Sequence, residues 1–230
     1  QEMVNELEGI FGKRPVVTDT TEMFMSATLY NALDAAGFRG ALMDGRPQVM
    51  GWRESTHLYR YGDDAPFALP LDTQYAKRPT RKSISEGGAD QRTSSPYLLT
   101  RHLDLSDDIG YRFSNQNWSG YPLYADSYAN WIADTRGDML LLGWDFETFG
   151  EHHGRDSGIF DFMRALPDQL ARRGVSFYTA SELIERHSLQ ASYLPLPVFP
   201  TTRSGSGDVD FFPGNDAQKT IFQLMGDVYG

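Results

Sequence analysis

The chain of 230 residues reads as an α/β fold built on a parallel sheet, open or closed. Three observations predict it. Short apolar runs alternate with stretches of helical periodicity as far as residue 190. A complete strand–helix–strand unit is legible between residues 15 and 44. A buried run, Met139-Leu140-Leu141-Leu142, then leads into the acids of WDFETFGEHH at 144–153, which is how a barrel strand presents carboxylates at its tip.

The elements follow in order. Val4, Leu7 and Phe11 fall at helical spacing, and Gly12 stops that helix before a short strand at Pro15-Val16-Val17. Met25, Leu29, Ala32, Leu33 and Ala36 mark a second amphipathic helix closed by Gly37, and Gly40-Ala41-Leu42-Met43 is a buried strand ending at Asp44. From Asp44 to Pro96 periodicity is poor, and TRKSISEGGADQRTSS at 80–95 has the polar composition of a surface loop suited to act as a lid. Tyr97 to Arg101 is the next strand, and Ser106-Asp107-Asp108 the start of a short helix through Phe113. Tyr124, Tyr128, Trp131 and Ile132 precede the strand at 139–144, and Ile159, Phe162, Met163 and Leu166 follow it, both sets at helical spacing. Val175 to Tyr178 reads as a last strand, and Thr179 with Glu182 as a capping box opening a helix to His187. Beyond residue 191 prolines and an RSGSGD loop break the rhythm, and Ala217 to Val228 begins a final helix. This divides the chain into an α/β part, 1–190, and a linker with the start of a helical region, 191–230.

Composition narrows the partners. With 31 acidic against 21 basic residues the formal charge is −10, which repels phosphate backbones and anionic lipid, so neither nucleic acid nor membrane is expected. No run approaches the roughly 18 apolar residues of a membrane span, and QEMVNELEGIF reads as an amphipathic helix rather than a signal sequence. The absence of cysteine removes disulfides and thiolate chemistry and fits a reducing, cytoplasmic setting. Trp52, Trp118, Trp131 and Trp144 offer flat faces for sugar rings, although such residues also fill cores.

On a continuing strand Asp145 and Glu147 would share one face, and paired acids suit general acid/base work on glycosidic or acyl bonds. The plainer alternative is that acids after a strand cap the next helix. Asp145, His152 and His153 also raise a third possibility, a metal-dependent polysaccharide deacetylase, against which adjacent histidines seldom converge on one ion. His57, His102 and His187 have no spacing that pairs them and read as surface or packing residues.

Several stretches together resemble the α-amylase-type members of glycoside hydrolase family 57. TEMF at 21–24 is similar to the family's TELI segment, AAGFRGALMDG at 35–45 to its GFKGILTEG segment, followed by GWR at 51–53. SDDIGYRFSNQNW at 106–118 resembles SDDIAFRFSN, WDFETFGEHH with SGIFDFMRALP at 157–167 resembles the MDYETFGEHHW region, and PGN at 213–215 matches WLGN weakly. The resemblance implies an incomplete seven-stranded (β/α) barrel followed by the start of a helical C-terminal region. It implies action on starch- or glycogen-like α-1,4-glucans by a retaining two-carboxylate mechanism, with no cofactor and no metal. A catalytically degenerate relative that binds α-glucan without efficient hydrolysis is the alternative. Asp145 matches the general acid/base, and Asp44 stands where the family has its nucleophilic glutamate. Glu22, Trp52, Arg53, Asp107, Asp108, Arg112, Trp144, Glu147, Glu151 and His152 match surrounding positions and are candidates for sugar contacts. Against those roles, Asp107 and Asp108 have a plain reading as helix caps, Arg112 as their ion-pair partner and Trp52 as core.

Departures from the pattern bear on the chemistry. Aspartate at 44 is one methylene shorter than glutamate and draws its carboxylate back by about 1.5 Å, where retaining enzymes hold their carboxyls about 5 to 5.5 Å apart. Gly154 replaces the tryptophan that follows the family's His pair, and Ser55-Thr56 its PN after GWR. The family's N-terminal HQP segment has no counterpart here, and most of the helical region is expected to be missing, which leaves the expected barrel partial.

Overall fold

The computed structural model describes residues 2–62, 95–196, 201–204, 215–218, 220, 221 and 224. The lid expected at 80–95 lies outside them but for its last residue, as do most of the helix expected at 217–228 and the first two residues of PGN.

The fold is α/β on a mostly parallel five-stranded sheet, as the alternation predicts. An exposed helix α1 (Glu2–Phe11) leads to β1 (Val17–Thr18), α2 (Ala27–Ala35) and β2 (Gly40–Asp44). Ser26 caps α2 by accepting from Leu29 N at 3.1 Å, and Gly37, at φ 82°, ends it. A short α3 (Pro47–Met50) separates β2 from β3 (Leu58–Tyr61), after which come β4 (Tyr97–Arg101), α4 (Leu103–Asp107) and a π-helical turn at Asp108–Arg112. The rest is α5 (Ala125–Asp134), α6 (Ile159–Arg172), α7 (Ala180–His187) and β5 (Ser192–Leu194). The capping box of Thr179 and Glu182 is formed as expected.

The sheet order is β1-β2-β4-β3-β5. β1/β2, β2/β4 and β3/β5 are parallel, whereas β3 runs antiparallel to β4 with Leu58 opposite Leu99. β4 is buried along its whole length, and β2 at every position but Leu42, as strands covered on both faces must be. α7 lies so close over β2 that a Cβ on Gly40 would come within 2.6 Å of Ile184 Cδ1, so any larger residue there requires Ile184 to shift. On the other face α2 packs Tyr30 and Leu33 against Ala41, Met43, Tyr59 and Leu98, while α4, α5 and α6 enclose a separate core around Ile109, Tyr128, Ile159 and Phe162. β5 falls inside 191–230, so the sheet extends past the expected division at residue 190. Among the described residues no helix is long and apolar enough to cross a membrane.

Two expected strands do not form. Residues 139–144 make a single parallel bridge, Leu141 to Arg101, because their backbone groups go elsewhere: Met139 N donates to Thr56 O and Gly143 N to Ser106 Oγ. At 175–178 the first N–H closes the end of α6 by donating to Leu170 O at 3.1 Å, and Phe177 and Tyr178 face solvent. The helix expected to start at Ser106 instead starts at Leu103, capped by His102 Nδ1, so Asp107 is its last residue and Asp108 the first of the π-helical turn, and neither caps its start.

Candidate functional site

β2 and β4 end side by side, with Asp44 in register with Arg101. Parallel strands place their carboxyl ends at one edge of the sheet, where α/β proteins hold ligands. Asp44 is wholly buried and Arg101 almost so. Arg101 ties three segments together, donating from Nη1 to Asp44 Oδ1 at 3.0 Å, from Nη2 to Asp107 Oδ1 at 2.6 Å and from Nε to Gly143 O at 2.8 Å. Arg46 Nε stands 3.1 Å from Asp44 Oδ2 but points its hydrogen at Thr202 O, so Oδ2 accepts no hydrogen bond among the described residues. Burial pushes the Asp44 carboxyl above the usual range, against the pull of Arg101 and Arg46.

Asp145 does not continue a strand. It opens a tight turn, Phe146–Thr148, which sends Glu147 into solvent and separates the two acids expected on one face. Arg203 grips the Asp145 carboxylate by both oxygens, with Nη1 to Oδ2 at 2.8 Å and Nη2 to Oδ1 at 2.6 Å. The same Nη2 reaches Glu22 Oε2 at 3.0 Å, which also accepts from Ser204 Oγ at 2.7 Å. Glu22 is aimed by a strained turn in which it and Met23 hold left-handed φ values of 57° and 52°. The segment carrying Arg203 is docked on that turn, because Arg203 N donates to Glu22 O at 2.8 Å and Thr201 pairs with Met25.

Together these residues frame a cleft of about 550 Å³. Its carboxylates are Glu22, Asp107 and Asp145 and its cations Arg46, Arg101 and Arg203, joined by Tyr111, His152 and Ser204. Tyr111 and His152 stack with centroids 5.8 Å apart. Asp44 lies behind this lining, reached through Arg101 and Arg46.

The other sequence candidates scatter. Asp108 and Arg112 pair with each other at 2.7 Å and line a second cleft instead; burial raises the Asp108 carboxyl, opposed by Arg112. Trp52 is exposed beside Arg53, whose Nε donates to Tyr193 O, and neither lines either of these two clefts. Trp144 anchors its indole N–H on Ser106 O at 2.8 Å and packs edge-on against Phe149, so it serves as packing rather than as an open sugar platform. Glu147 and Glu151 are exposed and line neither cleft.

His153 is buried, with Nε2 2.7 Å from Ile109 O and Nδ1 2.7 Å from Ser114 Oγ. Both ring nitrogens are engaged, which leaves it no lone pair for an ion. Among the described residues no group of three His, Cys, Asp or Glu is placed to hold a metal, so the deacetylase possibility gains no support.

Arg46, Arg101, Arg203, Ser204 and Tyr111 were not anticipated. Arg101 had a signal, a charge at the tip of an apolar strand, and Arg46 sits two residues beyond Asp44. Arg203 lies in a Ser/Gly-rich stretch and reaches Asp145 across 58 residues, a relation no local pattern displays.

Comparison with known proteins adds to this geometry. A family model described as glycosyl hydrolase family 57 matches residues 3–195. A protein of Methanocaldococcus jannaschii named "Putative alpha-amylase" is 29% identical over 221 residues, covering 95% of this chain and 41% of that protein. The crystal structure of a 4-alpha-glucanotransferase from Thermococcus litoralis shares the fold, with a TM-score of 0.52 and 15% identity, over 87% of this chain and 25% of that one. The chain thus spans about two fifths of the first and a quarter of the second.

Proposed function

Because this chain belongs to glycosyl hydrolase family 57, we propose that the cleft at the tips of β2 and β4 is an α-glucan site of glycoside-hydrolase type. Asp145 acts there as general acid/base and Asp44 as the nucleophile of a retaining reaction on starch- or glycogen-like α-1,4-glucans.

The observation that carries this reading is the state of the Asp44 carboxylate. Arg101 fixes Oδ1 and leaves Oδ2 without a hydrogen bond, an acceptor that is buried yet unsatisfied. A buried acceptor without an aligned hydrogen bond is costly to maintain, and with Arg46 Nε only ion-paired to it at 3.1 Å its lone pairs stay uncommitted, as attack on an anomeric carbon requires. Glu22 and Asp107 then offer acceptors for sugar hydroxyls. Before Asp145 can protonate a leaving oxygen, one of its two bonds to Arg203 must open, so the reaction requires Arg203 to move.

A second reading is favoured by a different observation. Asp44 is 0% exposed, with Arg101 and Arg46 between it and the cleft, and a carboxylate set back by one methylene does not pass them unaided. On this reading the chain binds α-glucan without efficient hydrolysis.

One experiment separates the two. Reducing-sugar release from soluble starch and retardation in glycogen-containing gels are measured for the chain and for Asp44→Glu. Release by the unaltered chain supports the hydrolase. Retardation without release, with release restored by Asp44→Glu, supports the binding protein. Neither retardation nor release in either form removes the α-glucan site.

A further inference from the structure

We propose a second α-glucan-binding site, separate from the cleft that carries Asp145, in the corner between Trp118 and Trp131. It rests on the α-glucan reading and adds a site to it. A cleft of about 550 Å³ opens there, lined by Asp104, Asp108, Arg112, Trp118, Gly120 and Trp131 among others, and it shares no lining residue with the first. The π-helical turn Asp108–Arg112 is the partition. Asp107, just before it, faces the first cleft, and Asp108, its first residue, faces the second. π-Helical turns are rare and recur where a helix must aim side chains at a ligand.

The chemistry of this corner is that of a sugar site. The two indoles pack edge to face, at 82° with centroids 6.2 Å apart, and together form one aromatic wall of the cleft. Trp118 is held by the backbone of Gly120, where a Cβ would come within 2.5 Å of the ring, so glycine alone allows the chain to lie on it. Trp131 is 38% exposed, a large apolar surface left in water. The polar wall is largely self-neutralised: Arg112 donates from Nε to Asp108 at 2.7 Å and from Nη2 to Asp104 O at 2.8 Å. Paired in this way, the guanidinium and carboxylates bind hydroxyls by hydrogen bonds without favouring an anion, while the Asp104 carboxylate, largely exposed, remains free to accept more. A neutral polyol ring with apolar faces satisfies both walls. A phosphate meets two carboxylates, and a purely apolar ligand makes no use of them.

Affinity gel electrophoresis in glycogen tests the proposal, with folding of each variant checked by circular dichroism. Trp118→Ala and Trp131→Ala are each expected to weaken the apparent affinity about two- to tenfold, the span of a lost stacking contact. Because Trp118 also packs on the helical core, Trp131→Ala and Asp104→Ala carry the result if Trp118→Ala does not fold. Glu22→Gln, in the first cleft, is expected to leave residual retardation that the double variant with Trp131→Ala removes. Retardation of the unaltered chain that persists undiminished in folded Trp131→Ala and Asp104→Ala overturns the second site alone. An unaltered chain that migrates freely overturns both sites.

Discussion

Arg203 holds Asp145 by both carboxylate oxygens, at 2.8 and 2.6 Å, while sharing one nitrogen with Glu22 at 3.0 Å. One guanidinium thus spans two carboxylates from segments more than a hundred residues apart in sequence, and it occupies the acid that the chemistry needs. Bidentate geometry makes such pairs stronger than a point contact, and partial exposure of both acids weakens them again. Arg203→Gln is therefore expected to cost about 1–2 kcal/mol in urea unfolding. A double-mutant cycle with Asp145→Asn should show the two effects to be less than additive, and strict additivity would mean the contact contributes nothing.

The Asp44–Arg101 pair behaves differently, because both members are buried. Arg101→Met strands a carboxylate in the interior and removes the links to Asp107 and Gly143, so a loss of about 3–5 kcal/mol is expected. Adding Asp44→Leu to that variant should recover part of the loss, since the stranded charge goes with it. Thermal unfolding of the three proteins checks this, and a double variant no more stable than Arg101→Met would contradict it.

If the proposed acid/base role holds, Asp145→Asn abolishes starch turnover while retardation in glycogen persists, because the amide keeps the shape of the side chain but transfers no proton. Undiminished turnover in this variant would remove Asp145 from that role.

How far the sequence reached is clearest at the same residues. The βαβ unit ending at Asp44 and the capping box at Thr179 were legible because each is written within a few residues. Asp145 follows an apolar run and lines the cleft, but that run reads as a strand and is not one, since composition does not say where backbone N–H groups find acceptors. β3 went unseen because four residues in a stretch of poor periodicity give no alternation to detect, and it is antiparallel to β4 besides. Asp107 and Asp108 were grouped as one candidate pair. The π-helical turn that points them into different clefts leaves no mark in the residue pattern.

Two histidines set a pH dependence of stability. Burial lowers His153 and His102 below the ordinary 6.5, so each resists a proton in the folded state that it accepts when unfolded. The unfolded chain then binds more protons between the folded value and 6.5, and stability falls as pH drops through that window. Above 6.5 both forms are neutral and the contribution is fully present. Burial of Asp44 and Asp108 acts with the opposite sign: their raised carboxyls hold protons in the folded state above 3.8, so their part of the stability grows as pH falls through their own window. A variant therefore isolates the histidine effect better than a single pH scan does. His153→Gln keeps a donor near Ile109 O and an acceptor near Ser114 but does not titrate. Urea unfolding of the chain and of this variant at pH 7.5 and at pH 5.5 should show a smaller loss on acidification in the variant. Equal losses in the two proteins would mean that His153 takes up its proton as readily folded as unfolded, and that its buried bonds do not resist the charge.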